Sequence, residues 1–105
     1  MIQKQDFVIT RDKTPHGVKF TVKGRVSAAN ADEFQFKLEN ALKDGEINII
    51  LNMLQVDFLS STGIRIILKT HKDALKAGVK FGIEQPSENV RNVLGMVALD
   101  EMLIR

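Results

Sequence analysis

Val56-Asp57-Phe58-Leu59-Ser60-Ser61-Thr62-Gly63-Ile64 is the stretch that decides how this chain folds. Just before it, Ile47 to Leu51 is an apolar run, as expected of a strand covered on both faces. Asn52 to Leu59 reads as a connection with apolar content. Just after it, Ile64, Ile67, Leu68, His71 and Leu75 fall on one stripe at helical spacing, and Gly78 closes the segment. The stretch is therefore the joint between a buried strand and an amphipathic helix.

Working outward, the same alternation of elements continues. Phe7-Val8-Ile9 reads as a first strand, Thr14-Pro15-His16-Gly17 as a turn, and Val18, Phe20 and Val22 as the apolar face of a second strand. The two form a hairpin with a longish loop. Asn30 is placed to cap a helix with Glu33 three residues on; Ala31, Phe34, Leu38, Ala41 and Leu42 form its inner stripe, and Asp44-Gly45 ends it. Val79, Phe81 and Ile83 alternate as a fourth strand. Pro86-Ser87 opens a third helix bearing Val90, Val93, Leu94 and Val97, and Leu99, Met102, Leu103 and Ile104 close the chain as a short helix or last strand. The order β-β-α-β-α-β-α predicts an α/β fold, a four- to five-stranded mixed sheet with helices, in one domain over residues 1–105. In such sheets function gathers beyond the C-terminal ends of the parallel strands, which again points to residues 55–63.

Composition narrows the function classes. The chain has 105 residues, 44% hydrophobic and 27% charged, with a net charge of +2, an ordinary globular balance too even for a polyanion clamp. It has no Cys, which excludes disulfides, thiolate metal sites and cysteine catalysis. With two histidines, His16 and His71, and no ligand spacing, no metal is expected. There is no phosphate-binding Gly-x-x-x-x-Gly-Lys-Ser/Thr and no Gly-x-Gly-x-x-Gly, so no cofactor is expected either. The polar N-terminus carries no apolar signal core and no run is long enough to span a membrane, so the cytoplasm is the expected compartment.

Two adjacent hydroxyls stand at the mouth of the second helix. One reading makes Ser60 or Ser61 a helix cap, worth about 1 kcal/mol. The other uses the unpaired N–H groups and partial positive charge of a helix start, which favour an anion such as a phosphoryl group. Gly63 leaves the first turn bare, open to the close approach of a partner or a kinase. A Ser61–His71–Asp57 triad fails on geometry. Ser61 and His71 share one helix at ten residues' separation, about 15 Å along its axis, and a nucleophile and its base need about 3 Å. His71 is better read as packed. Arg65, Lys69, Lys72 and Lys76 make a basic stripe, either a solvated face or a dock for an acidic partner, and Phe36 falls off its helix's inner stripe.

Leu59-Ser60-Ser61-Thr62-Gly63-Ile64 resembles the phosphorylation motif of anti-sigma factor antagonists of the STAS family, an apolar residue followed by Asp-Ser-Ser/Thr-Gly-Leu. The likeness extends to the opening hairpin, Gly24-Arg25-Val26-Ser27-Ala28-Ala29-Asn30-Ala31, Ala77-Gly78-Val79, the Val93-Leu94 helix and the element order. The resemblance implies a STAS-type fold and a binding switch rather than an enzyme. Ser61 would be the phosphoacceptor, with Ser60 as rival. An anti-sigma factor with serine kinase activity would be captured while Ser61 is unmodified, and a phosphatase would reset the switch. Asp57, Phe58, Ser60, Ser61, Thr62, Gly63, Ile64 and Arg65 would form the docking surface. Two positions depart from the family pattern. Ser60 replaces the usual Asp, and Ser27 replaces the usual acidic residue before the first helix. They leave open an alternative, a STAS docking or scaffold subunit without a phosphate cycle, for example in a transport system.

Overall fold

A computed structural model describes residues 7–96, and the expected closing element after Met96 lies outside them. Strands β1 (Phe7–Thr14) and β2 (Gly17–Val26) form the hairpin; α1 (Ala31–Lys43), β3 (Asn48–Leu59), α2 (Ser61–Ala77), β4 (Lys80–Glu84) and α3 (Glu88–Met96) follow. The described residues form a four-stranded sheet in the order β1-β2-β3-β4. β1 is antiparallel to β2, while β2–β3 and β3–β4 are parallel. The predicted α/β class and element order therefore hold.

The hairpin is tighter than expected. β1 continues past Ile9 to Thr14, and only Pro15 and His16 separate it from Gly17. Arg11 to Thr14 are too polar to signal a strand, but on the edge of a sheet polar side chains keep a strand from pairing with other chains. Arg11 and Lys13 also reach Asp44 and Glu46 at 2.9–3.2 Å, tying the hairpin to the turn after α1.

The expected connection from Asn52 to Leu59 is instead the second half of β3, paired with β2 as far as Leu59. From Leu51 on, the buried residues of β3 are Leu51, Met53, Val56 and Leu59, at spacings of two, three and three. Register shifts between Thr21 and Lys23 and between Gly24 and Arg25 break the period of two and hide the strand from a pattern search. Coverage of β3 on both faces is not found either. Ile49 and Leu51 are fully buried, Ile50 is half-buried and Ile47 is 70% exposed. In the ladder Ile50 lies between Lys19 and Gly82, next to the Lys19–Glu84 pair at 2.7 Å.

The core joins Phe20, Val22, Leu51, Met53 and Ile83 of the sheet to Phe34 and Leu38 of α1 and Ile66 and Ile67 of α2. Phe7 and Phe34 meet edge to face at 6.3 Å. α2 is rotated from its expected stripe, and buries Gly63, Ile66, Ile67, Thr70 and Ala74, leaving Leu75 67% exposed. Small residues let the helix lie close to the sheet, and Thr70 satisfies its buried hydroxyl by donating to the Ile66 carbonyl (2.8 Å). Asn30 does not cap α1 with its side chain. It turns back: its Oδ1 accepts from the Ser27 N–H (3.0 Å) and its Nδ2 donates to the Arg25 carbonyl (2.9 Å). These bonds fix the bend that leads from β2 into a single 3-10 turn, Ala28–Asn30, before α1.

Candidate functional site

The ends of β2 and β3 and the start of α2 meet at one edge of the molecule. The Ser60 N–H donates to the Val26 carbonyl (2.9 Å), which prolongs the parallel ladder by one bond and fixes where α2 begins. Ser60 stays extended, its Oγ accepts from the Gly63 N–H (3.1 Å), and its carbonyl accepts from the Ile64 N–H (2.9 Å). Ser60 is therefore the helix cap. Ser61, one residue on, is the first helical residue and is exposed. The two hydroxyls that looked equivalent in the sequence have separate surroundings.

Gly63 is buried, which corrects the expectation that its bare turn faces a partner. A β-carbon there would lie 2.7 Å from Leu59 Cδ1 and 2.8 Å from Val26 Cγ1. The missing side chain serves the contact of α2 with the strand ends, not access from solvent. Thr62 and Ile64 are half-buried, with Ile64 packed against the core, while Arg65 is exposed.

On the strand side, Asp57 and Phe58 are exposed. Three further residues join them that the sequence reading did not assign. Arg25 pairs with Phe58 in the parallel ladder, and its guanidinium carbon lies 4.5 Å from the ring centroid. Ser87 donates through Oγ to the Val56 carbonyl (2.7 Å) and accepts from the Val90 N–H (3.1 Å), while its own N–H donates to the Met53 carbonyl (3.1 Å). Asn89 donates to the Asp57 carbonyl. The start of α3 is thus pinned to the last turn of β3. Arg25 lies inside the quoted Gly24–Ala31 stretch, so a signal existed. Ser87 was legible only as a helix start, and nothing local marks Asn89, because the β3 carbonyls that the two side chains bond are some thirty residues away.

The other singled-out residues lie away from this edge. His71 is half-buried with its ring 6.5 Å from that of Phe81, as expected of a packed histidine. The basic stripe is broken at Lys69, which pairs with Asp73 at 2.9 Å and Glu39 at 3.8 Å; the hydrogen bond to Asp73, above all, raises its pKa. Phe36 is 63% exposed. A depression lined by Lys13, His16, Glu46 and Lys80 opens at the opposite end of the sheet from Ser61. Among the described residues no group of three or more His, Asp or Glu could hold a metal, and no helix is long and apolar enough to cross a membrane.

A four-stranded mixed sheet, with an exposed serine at the first turn of the helix that follows a parallel strand, defines a small α/β domain. The STAS domain family model matches residues 8–105, and the chain belongs to that family. A Bordetella bronchiseptica protein, BtrV, named as a candidate anti-sigma factor antagonist, is 26% identical over 85 residues, 81% of this chain and 73% of that protein. An anti-sigma factor antagonist from Mycobacterium paratuberculosis superposes with a TM-score of 0.86 at 16% identity, covering 98% of this chain and 87% of that one. SpoIIAA in its unphosphorylated form gives 0.80 at 17% identity, covering 92% and 86%. The phosphorylated form of SpoIIAA, a Bacillus cell fate determinant, gives 0.76 at 18%, covering 92% and 89%.

Proposed function

We propose that this protein is an anti-sigma factor antagonist, a binding switch and not an enzyme, which docks its partner on the edge around Ser61. The observation that carries the reading is the division of labour between the serines. Ser60 Oγ is committed to the Gly63 N–H at 3.1 Å, whereas Ser61 is exposed at the first turn of α2. Capping therefore leaves Ser61 as the acceptor and demotes its rival. The name of the Bordetella relative supports the function, and the two forms of SpoIIAA support a phosphate cycle on this fold.

In this reading a serine-kinase anti-sigma factor is captured over Asp57, Phe58, Ser60, Ser61, Thr62, Ile64 and Arg65. Ser61 Oγ then attacks the γ-phosphorus of a nucleoside triphosphate, losing its proton while the diphosphate leaves. The new group adds about 1.5 to 2 negative charges at a desolvated contact and favours release. A phosphatase returns the hydroxyl. Ser61→Asp should abolish binding to the cognate anti-sigma factor, and Ser61→Ala should bind yet never accept phosphate. Unchanged affinity in both variants would sink the switch. Mass spectrometry of the protein from its own cells should find phosphate on Ser61. Phosphate on neither serine would favour the docking-subunit alternative, which Ser60, in place of the family's Asp, keeps in play.

A further inference from the structure

Most of the basic side chains on the first two strands have carboxylate partners: Arg11 with Asp44 and Glu46, Lys13 with Glu46, and Lys19 with Glu84. On α2, Lys69 is held by Asp73 and Glu39. Arg25 and Arg65, which flank Ser61, enter none of these pairs, and both are exposed. Arg65 lies four residues beyond Ser61 on α2. Residues at that spacing share a helix face with β-carbons about 5–6 Å apart. A long helical side chain also leans toward the N-terminus, which carries Arg65 back over the turn that starts with Ser61.

Arg25 comes from the other side. The strand register sets it against Phe58, and the carbonyl of the next residue, Val26, holds the Ser60 N–H at 2.9 Å. Stacking on the ring at 4.5 Å holds the guanidinium in place before any anion arrives. A guanidinium presents a planar fork that matches phosphate oxygens in pairs.

We propose that Arg65 and Arg25 together receive the phosphoryl group on Ser61, so that phosphorylation also withdraws two cations from the docking surface. The inference rests on the reading of Ser61 as the phosphoacceptor. It gives release a second cause beside added charge, since phosphate and an acidic group of the partner compete for the same guanidinium groups. Asp57, Asp32 and Glu33 in the first turn of α1, and Glu88 in the first turn of α3, carry charge of the opposite effect.

The test needs neither kinase nor partner. Phosphoserine is installed at position 61 of the full chain during translation, and its second ionisation is followed by phosphorus NMR. That ionisation ordinarily falls near pH 6. Here it should fall lower by about one unit, the least shift expected of an adjacent arginine. Arg65→Gln and Arg25→Gln should each move it back up, and Arg65→Lys should restore part of the shift. An unshifted midpoint in the wild-type sequence, or one that neither glutamine variant moves, would overturn the proposal. A midpoint that only one variant moves removes the other arginine from it. Finding no phosphate on Ser61 in cells would sink the proposed switch and leave this titration unaffected.

Discussion

At position 63 the backbone of α2 comes so close to Leu59 and Val26 that a methyl group would overlap both at under 3 Å. Helix propensity alone favours alanine over glycine by about 1 kcal/mol. Packing reverses the sign here, and Gly63→Ala should destabilise the fold by about 1–3 kcal/mol in urea unfolding. An unchanged or raised stability would show that α2 can lift off the strand ends freely. The neighbouring serines make the same point in polar terms. Ser60 and Ser61 are one residue apart, and the difference between a cap and an exposed hydroxyl comes from the single bond of Ser60 N–H to Val26. The motif made Ser61 legible as a candidate. Its freedom from capping was not legible, because either serine satisfies the capping rule.

At the scale of elements, the helix starts are better tied than the sequence suggested. The described part of α3 is Glu88–Met96. Ser87 anchors it by capping Val90 and bonding Val56 at once, so it couples α3 to the end of β3 that carries Asp57 and Phe58. Ser87→Ala should cost about 1–2 kcal/mol and speed hydrogen exchange in α3 before the sheet. Exchange rising equally throughout the chain would mean that Ser87 serves the whole fold instead. β3 itself was half read: its Ile47–Leu51 start was visible as an apolar run, and its bulged second half was not.

Across the whole molecule, the charge network sits at the end remote from Ser61. Lys13, hydrogen-bonded to Glu46, holds that carboxyl below the usual carboxylate range, with Arg11 adding to the effect. A carboxyl with a lowered folded-state pKa contributes stability above its unfolded pKa, and that contribution is lost as pH falls through the folded value. Stability measured by urea unfolding should therefore drop on acidification below about pH 4.5, and Glu46→Gln should flatten that drop. An identical acid profile in the variant would remove Glu46 from it. Because this network joins the hairpin to the turn after α1, such a change should leave the geometry of the edge around Ser61 unaltered.

The sequence by itself determined the alternation of strands and helices, the class of fold and the neighbourhood of the site. Each follows from local periodicity, turn residues and a contiguous motif. Only the tertiary structure decided which serine caps α2, which face of that helix is buried, and that Arg25, Ser87 and Asn89 belong to the same edge. Those outcomes depend on strand register and on contacts between residues far apart in the chain, and no local pattern encodes them. Extra residues in β3 set the register that brings Arg25 to Phe58, and a missing β-carbon at Gly63 sets how closely α2 approaches the strands.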